Sequence, residues 1–297
     1  MNPQLKGVGV ALVTPFQTDG SIDFAAYQRV VDHVIEGGVD YVVALGTTGE
    51  SPTLSVEEKY EVLDKTVEFV RKRVPIVGGF GGNNTQYLLK TIKGYHFNGI
   101  DAILSVSPAY SKPTQEGIYQ HYKAIAAVSP RPIVLYNVPS RTGSNMSAET
   151  TLRLARDFQN IVSMKEASGN LVQCMEIVRG KPREDFLVVS GDDIITLPMI
   201  GFGIDGVISV IANATPKVFS DMVHAALKGD FVTARKLHFQ LLELTQLIFA
   251  ENNPGGVKAA LSVLGICEEN FRLPIVPISR ELKAKIEVAV EKLKSES

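Results

Sequence analysis

The sequence predicts an α/β fold, a (β/α)8 or TIM barrel followed by a C-terminal helical extension, on three observations. Eight short apolar runs recur along the chain, segments with helical periodicity separate them, and only helical segments follow the eighth run. A length of 297 residues would suggest two domains at about 150 residues each. Parallel barrels of about 250 residues fold as one unit, however, so the alternating pattern outweighs the length.

The eight apolar runs are the predicted strands. They are rich in β-branched residues and continuously apolar, which is typical of parallel strands buried on both faces. This number of right-handed β–α crossovers favours a closed barrel. The first run leads into Thr14-Pro15-Phe16 rather than a GxGxxG turn, so a dinucleotide-binding open sheet is not favoured. The runs cover residues 8–13, 41–45, 76–79, 102–106, 133–136, 161–164, 187–190 and 207–211.

The segments between the runs carry helical signals. Apolar residues in 55–73 recur at spacings of three and four, and Ser55 with Glu58 has the spacing of a capping box. An earlier helical pattern ends at Gly37-Gly38, which supplies a C-terminal stop. Thr215-Pro216 is typical of an N-cap followed by a first-turn proline.

The chain is predicted to have two parts. Residues 1–229 form the barrel that carries the chemistry, and residues 230–297 form a helical extension packed on it. Helices are expected over residues 230–251, 256–264 and 279–294. No chemistry can be assigned to these helices, so a packing or interface role is the expectation.

Composition and charge exclude several classes of function. Thirty basic and 32 acidic residues give a formal net charge of -2, so the chain lacks the positive field that nucleic-acid binding requires. No segment approaches the roughly 18 uninterrupted apolar residues that span a bilayer, and no export signal is visible. Cys174 and Cys267 lie far apart in apolar helical contexts and are expected to be unpaired. The prediction is a cytoplasmic protein without nucleic-acid or membrane partners.

Lys165 is the most unusual residue at a strand end. Catalytic groups of a parallel barrel lie where strands end and β–α loops begin. Lys165 directly follows the sixth run and should enter the barrel mouth, where burial disfavours an ammonium and leaves a nucleophilic amine. The structural alternative is a lysine that extends to solvent or pairs with Glu166.

Other strand ends carry hydroxyl groups and a cation. Tyr136 and Arg141 follow the fifth run and could relay protons and hold a carboxylate, although a half-buried structural tyrosine fits equally well. The second run leads into GTTGE, residues 46–50. Thr47 and Thr48 fit either an anion-binding loop or ordinary turn positions, and Glu50 fits a local hydrogen-bond acceptor.

No metal or cofactor is predicted. All five histidines fall in predicted helices rather than at strand ends, and no pair has metal-ligand spacing. Asp192 and Asp193 follow the seventh run, where many barrels bind phosphate, and would repel that group. Both are expected to cap the next helix. A nucleophilic lysine without a metal or phosphate site favours aldolase-like chemistry, in which an imine with a keto acid acts as an electron sink.

Six strings together resemble the dihydrodipicolinate synthase family of pyruvate-dependent Schiff-base lyases, in order and over nearly the whole chain. GTTGE alone would indicate only the wider superfamily, whereas YNVPSRTG followed by KEASGN is much narrower. The resemblance implies condensation of pyruvate with L-aspartate 4-semialdehyde to 4-hydroxy-tetrahydrodipicolinate in lysine and diaminopimelate biosynthesis. It also implies a homotetramer built as a dimer of dimers. The strings are GTTGES from Gly46, SPAY from Ser107, YNVPSRTG from Tyr136, KEASGN from Lys165, SGDD from Ser190 and GVISV from Gly206.

The resemblance assigns roles at the reacting centre. Lys165 matches the Schiff-base lysine, and Tyr136 matches the proton donor and acceptor that serves imine formation. Thr47 and Tyr110 match the other members of a proton relay, with Tyr110 expected to reach the neighbouring subunit's site. An isolated subunit would therefore have an incomplete relay.

The resemblance also implies substrate contacts. Thr48 matches a contact to the pyruvate carboxylate, and Arg141 matches the group that binds the semialdehyde carboxylate. A backbone contact is expected at Ile208. The full set of expected substrate-binding residues is Thr48, Arg141, Gly191 and Ile208.

One departure from the family concerns regulation. Feedback-inhibited relatives bind lysine near the dimer interface through residues that match Ser51 and Asn83. They have histidine, glutamate and tyrosine where this chain has Lys59, Tyr87 and Ala109. Losing a carboxylate and gaining a cation weakens attraction for the ligand's ammonium group. The prediction is weak or absent inhibition by L-lysine.

Two alternatives stay open at this point. N-acetylneuraminate lyases and 2-keto-3-deoxy sugar-acid aldolases share the barrel, the lysine and the tyrosine. A polyhydroxylated substrate, however, requires neutral hydrogen-bonding groups where this chain has Arg141. The alternative from another class is a non-catalytic barrel that senses a small acid, with Lys165 in a structural role.

Overall fold

Eight parallel strands close into one barrel in the computed structural model, which describes residues 5–295. Each strand pairs with the next one in sequence and the eighth pairs with the first, so the predicted (β/α)8 barrel is confirmed. The strands are β1 Gly7–Ala11, β2 Tyr41–Ala44, β3 Ile76–Gly79, β4 Ala102–Val106, β5 Ile133–Asn137, β6 Ile161–Glu166, β7 Leu187–Ser190 and β8 Gly206–Ser209.

Helices surround the barrel and form the C-terminal extension. Short 3-10 helices at Thr47–Gly49, Ser51–Thr53 and Ile211–Asn213 lie in the loops after β2 and β8. The α-helices are α1 Phe24–Glu36, α2 Val56–Val70, α3 Thr85–Gly94, α4 Gln115–Val128, α5 Pro139–Thr142, α6 Ala148–Asp157, α7 Leu171–Gly180, α8 Thr196–Gly201, α9 Pro216–Leu227, α10 Phe231–Phe249, α11 Gly255–Val263 and α12 Arg280–Ser295.

The predicted helix ends are mostly confirmed. Ser55 accepts the Glu58 N–H and the Glu58 carboxylate accepts the Ser55 N–H, so the capping box of α2 is complete. Gly37 is the C-cap of α1. Thr215 is the N-cap residue of α9, but its side chain makes no capping hydrogen bond, because its hydroxyl donates to the Ile211 carbonyl at 3.4 Å.

Strand β6 is longer than predicted and irregular. It includes Lys165 and Glu166, because these residues still pair with β5 and β7. Ile161 pairs with Ile133 but Ser163 pairs with Val134, so one extra residue lies between the two pairs. Because strand side chains alternate between faces, the extra residue reverses the face that the rest of β6 presents.

The reversal places Lys165 inside the barrel. Buried apolar residues form a large cluster between strands and helices and a smaller one within the barrel. Ile133 and its partner Ile161 belong to the large outer cluster, whereas Tyr136 belongs to the inner one. Lys165 pairs with Tyr136 and therefore shares its inward face.

The C-terminal extension packs on the last barrel helix, since α10 contacts α9 and α12 contacts α10 and α11. The division between residues 1–229 and 230–297 stays a prediction, with α10 beginning next to it at Phe231. Within residues 5–295, no helix has the length and apolar character needed to cross a bilayer.

Two placements differ from the sequence interpretation. His96 lies after the end of α3 rather than in a helix, and Cys267 lies in a bend after α11. Cys174 and Cys267 are both buried and unpaired.

Candidate active site

Lys165 and Tyr136 form the centre of the site. They lie opposite each other on β6 and β5, and each is only 5% exposed. The Lys165 Nζ atom lies 4.3 Å from the centroid of the Tyr136 ring. The barrel thus holds an amine and a phenol together in a nearly dry interior.

The Lys165 amine has no hydrogen-bond acceptor or carboxylate partner among residues 5–295. The alternative that it pairs with Glu166 is wrong, because successive strand residues face opposite sides and Glu166 bonds to neutral donors outside the barrel. Nor does Lys165 extend to solvent. This environment suits an amine that reacts rather than one that forms an ion pair.

Gly191 and Ile208 border the same interior. A Cβ atom on Gly191 would lie 2.6 Å from the Ala167 Cβ atom and 2.9 Å from the Lys165 Cε atom, so a larger residue would require these side chains to shift. Gly191 also donates its N–H to the Glu166 carbonyl at 2.8 Å. Ile208 is 1% exposed and belongs to the inner cluster with Tyr136. Gly191 therefore lies against the Lys165 side chain, and Ile208 lies in the inner cluster with Tyr136.

The GTTGE segment forms a tight loop above the barrel. Thr48 is buried, and its hydroxyl accepts the Asn253 Nδ2 amide at 3.2 Å. The Thr14 hydroxyl donates to the Gly49 carbonyl at 2.7 Å, which joins this loop to the end of β1. Asn253 lies 205 residues from Thr48 in sequence, and no sequence signal connected them.

Glu50 is not a local acceptor as expected, because it forms a buried ion pair with Lys258 of α11. The Lys258 Nζ lies 2.6 Å from Glu50 Oε1, with both side chains at most 1% exposed. It also donates to the Asn270 carbonyl at 2.9 Å. Burial lowers the pKa of Lys258, while the Glu50 carboxylate opposes that shift. This ion pair connects the loop carrying Thr47 and Thr48 to the C-terminal extension.

A cavity of about 640 Å³ opens beside the reacting centre. Thr47, Tyr136 and Arg141 line it, as do the five residues from the predicted regulatory position. Among the described residues that line it, Lys59 and Arg141 carry positive charge and none is Asp or Glu. Burial lowers the pKa of Lys59. The cavity suits anions. The five regulatory-position residues are Ser51, Lys59, Asn83, Tyr87 and Ala109.

Tyr110 is the predicted relay member that the single chain does not bring to the site. It is 92% exposed, has a φ of 66°, and does not line the cavity. Its N–H donates to the Thr142 carbonyl at 3.0 Å, so the backbone is held while the ring extends outward.

Asp193 does not cap the next helix, so that prediction is wrong. Its carboxylate accepts the N–H groups of Val210 and Ile211 at 3.0 and 2.9 Å, connecting the β7 loop to the segment after β8. The N-cap of α8 is instead Ile195, without a side-chain bond. Burial raises the pKa of Asp193 to about 6. Asp192 does not cap this helix either, so the prediction is wrong for both residues. The Asp192 carboxylate accepts the Ile194 N–H instead.

The fold and the buried amine beside a phenol are typical of barrel lyases that act through a Schiff base. The chain belongs to the dihydrodipicolinate synthetase family, whose family model matches residues 4–293.

Individual relatives agree over almost the whole chain. It is 54% identical over 273 residues to a 4-hydroxy-tetrahydrodipicolinate synthase of Parabacteroides distasonis, covering 92% of each chain. A crystal structure of dihydrodipicolinate synthase from Aquifex aeolicus is 40% identical with a TM-score of 0.94, covering 98% of both chains. A crystal structure of the chloride-inhibited dihydrodipicolinate synthase from Acinetobacter baumannii complexed with pyruvate is 38% identical with a TM-score of 0.94. The match covers 98% of this chain and 99% of that chain.

Proposed function

We propose that Lys165 is the nucleophile through which this chain performs its family's reaction. The chain condenses pyruvate with L-aspartate 4-semialdehyde to give 4-hydroxy-tetrahydrodipicolinate, a step in lysine and diaminopimelate biosynthesis. The observation that carries the proposal is the buried Lys165 amine, which lies against the Tyr136 ring without a counter-ion.

The bond changes follow from amine and carbonyl chemistry. The Lys165 amine adds to C2 of pyruvate, and the carbinolamine loses water to form an imine. Loss of a proton from C3 gives an enamine, which attacks the aldehyde carbon of the semialdehyde. The semialdehyde amino group then attacks the imine carbon, closes the ring and releases Lys165. The net reaction joins the two substrates and liberates one water.

Proton transfers are assigned to Tyr136 and Thr47. The contact between the Tyr136 ring and the amine supports the assignment of the Tyr136 hydroxyl to proton exchange with the carbinolamine. Thr47 lines the same cavity as Tyr136, which supports its assignment to the relay. Arg141 is assigned to the semialdehyde carboxylate, because its guanidinium is one of only two cations among the described residues lining the cavity.

The pyruvate moiety is assigned to the loop and strand ends around Lys165. Thr48 holds its carboxylate from the GTTGE loop, while Gly191 and Ile208 border the space beside the Lys165 side chain. The neutral Asn253 amide fixes the Thr48 hydroxyl. No metal or organic cofactor takes part in this proposal.

Tyr110 completes the relay in a neighbouring copy, within a homotetramer arranged as a dimer of dimers. Its exposed ring and held backbone support this assignment. Mixing subunits that carry Tyr110→Phe with subunits that carry Lys165→Ala should restore part of the activity, because a mixed dimer contains one site with both groups intact. Mixtures no more active than the separate variants would contradict action in the neighbouring subunit.

An acceptor competition assay tests the substrate assignment. The purified chain receives pyruvate with equal concentrations of aspartate 4-semialdehyde and of sugar aldehydes, and the products are separated by mass. We expect the semialdehyde adduct to dominate, since Arg141 binds a carboxylate. Product formed only from the sugars would assign the chain to sugar-acid chemistry instead.

We also propose that L-lysine inhibits weakly or not at all, because Lys59 places a positive charge in the cavity. A cytoplasmic location stays a prediction, supported by two buried and unpaired cysteines.

A further inference from the structure

Glu166, the last residue of β6, is a buried carboxylate without a charged partner. Its side chain is only 2% exposed. None of the ion pairs formed within residues 5–295 includes it. Because burying an ionised carboxylate is costly unless donors satisfy it, the groups around Glu166 require an explanation.

Neutral donors hold Glu166 on three sides. The Ser168 N–H donates to Oε1 at 2.7 Å, and the Gln173 Nε2 amide donates to Oε2 at 3.0 Å. The Asn137 Nδ2 amide lies 3.2 Å from each carboxylate oxygen. The carboxylate is therefore bound from β5, from its own loop and from α7.

The same donors bind one another in a closed network. Asn137 Nδ2 also donates to Asn145 Oδ1, and Asn145 Nδ2 donates to Gln173 Oε1, both at 2.8 Å. The Met146 N–H donates to Asn137 Oδ1 at 2.9 Å. The network thus joins the loop that follows Arg141 to the strands that carry Tyr136 and Lys165.

The network lies one residue beyond the reacting pair. Tyr136 pairs with Lys165 across β5 and β6, and Asn137 pairs with Glu166 in the next position. Successive side chains face opposite sides of the barrel wall, so the first pair points inward and the second outward. A bond between Asn137 and Glu166 therefore fixes the register of the neighbouring inward pair.

The irregularity in β6 gives this bond its importance. Lys165 faces inward only because the strand carries one extra residue opposite β5. A one-residue slip would turn Lys165 outward and bring Glu166 into the interior. In that position the Glu166 carboxylate would lose the donors that bind it now and would face the apolar side chains of the inner cluster.

We propose that Glu166 is a positioning residue: its network outside the barrel wall holds the register in which the Lys165 amine faces Tyr136. The proposal rests on the function proposed for Lys165. Because Glu166 lies on the outer side of the wall, it acts through the strand and does not touch the reacting atoms.

The test measures how fast pyruvate is trapped on Lys165 by borohydride in a single turnover. Glu166→Gln keeps the shape but turns an amide donor toward the Asn137 and Gln173 donors. We expect trapping to slow about 100-fold, the scale associated with a misplacement of about 1 Å in a reacting group. Gln173→Leu removes one donor while leaving the carboxylate, and should slow trapping about 10-fold by the same cause.

The matched control is Asp205→Asn. Asp205 also binds a backbone N–H, that of Val188 at 2.9 Å, and the Lys181 amine at 2.6 Å, but it lies just before β8 at the opposite end of the barrel. It should lower stability without slowing trapping in the folded protein. If Asp205→Asn slows trapping as much as Glu166→Gln, the effect is general destabilisation and the proposal fails.

A double variant tests whether exchanging the donor and the acceptor between positions 137 and 166 restores the contact. Asn137→Asp combined with Glu166→Gln restores one acceptor opposite one donor, and trapping should return to within about 3-fold of the wild-type rate. Wild-type trapping by Glu166→Gln, or no recovery in the double variant, would overturn the positioning role. If the wild-type chain itself fails to trap pyruvate, the proposed function fails instead.

Discussion

Lys165 in the barrel and Lys258 in α11 of the C-terminal extension are both buried beside aromatic rings, yet they differ in their hydrogen-bonding and charged partners. Lys258 is fully buried and makes an ion pair with Glu50, a bond to the Asn270 carbonyl, and contacts with two aromatic rings. Lys165 has one aromatic neighbour and no anionic partner within the described chain.

The two environments suit a structural role for Lys258 and the nucleophilic role proposed for Lys165. A counter-ion and a carbonyl acceptor hold the Lys258 ammonium and leave no lone pair to attack a carbonyl. Lys165 lies beside the Tyr136 phenol, and Tyr136 in turn lines the cavity that carries Lys59 and Arg141. We propose that a carboxylated keto acid enters through this cavity. Burial alone does not distinguish the two lysines, whereas the partners of each amine do, and they favour Lys165 as the nucleophile.

The largest effect is expected from Lys165→Ala. Removing the nucleophile should lower kcat/KM by at least about 1,000-fold and abolish pyruvate trapping, while the folded structure persists. Steady-state assays and circular dichroism measure the two properties. Activity within a few fold of wild type would show that Lys165 resembles Lys258 in being structural.

Lys258→Met should mainly affect stability. The substitution leaves the Glu50 carboxylate buried and unpaired, which costs about 3–5 kcal/mol of unfolding free energy. Denaturant titration gives this value, and adding Glu50→Gln to the same chain should recover much of it. A loss below about 1 kcal/mol would place this pair among the weak ones and weaken the contrast with Lys165.

Tyr136→Phe tests the proton-transfer role proposed for the Tyr136 hydroxyl. Only the hydroxyl is lost, so the unfolding free energy should change little while kcat falls about 100-fold. The rate of pyruvate trapping should fall with it, since imine formation requires proton transfer. Near-normal turnover would remove Tyr136 from the mechanism.

Asp193 should make the free energy of unfolding depend on pH. Its pKa is raised from 3.8 to about 6 by burial, so the folded chain holds this proton where the unfolded chain releases it. Unfolding then releases a proton between about pH 4 and 6, and this group's contribution to stability is present below that window and lost as pH rises through it.

The Asp193→Asn variant checks that sign. As pH rises through this window, Asp193 should lower the free energy of unfolding of the wild type by roughly 3 kcal/mol. The introduced amide keeps an oxygen for the two N–H donors and does not titrate. The difference between the two proteins should therefore grow with pH in the variant's favour, and a constant difference would contradict the raised pKa.

The smallest effect is expected from L-lysine. At millimolar concentrations, turnover should remain within about 2-fold of the uninhibited rate, because Lys59 opposes a ligand ammonium. The variant Lys59→His with Tyr87→Glu should gain inhibition in the same assay. Abolished turnover of the wild type would show that the cavity accepts a cation despite Lys59.

Much of the fold could be predicted from local pattern. Continuous β-branched runs and helical spacing gave the closed barrel, and the Ser55 and Glu58 spacing gave a capping box. These features depend on residues close in sequence, so periodicity and capping chemistry suffice to find them.

The site was predicted less completely, because its supports are long-range. Glu50 and Lys258 lie 208 residues apart, and Asp193 binds the backbone of residues 210 and 211 rather than the helix beside it. The side chain of Lys165 points into the barrel because β6 has one extra residue relative to β5, and the apolar run in the sequence does not reveal this irregularity. Each of these features depends on a contact between residues that are distant in sequence, and the pattern of a single sequence does not reveal such contacts.

Borohydride reduction of the wild-type chain in the presence of pyruvate, followed by peptide mass spectrometry, shows which lysine forms an imine. We expect one reduced pyruvate adduct on the peptide containing Lys165 and none on the peptide containing Lys258. An unmodified Lys165 peptide, or equal labelling of both lysines, would contradict it.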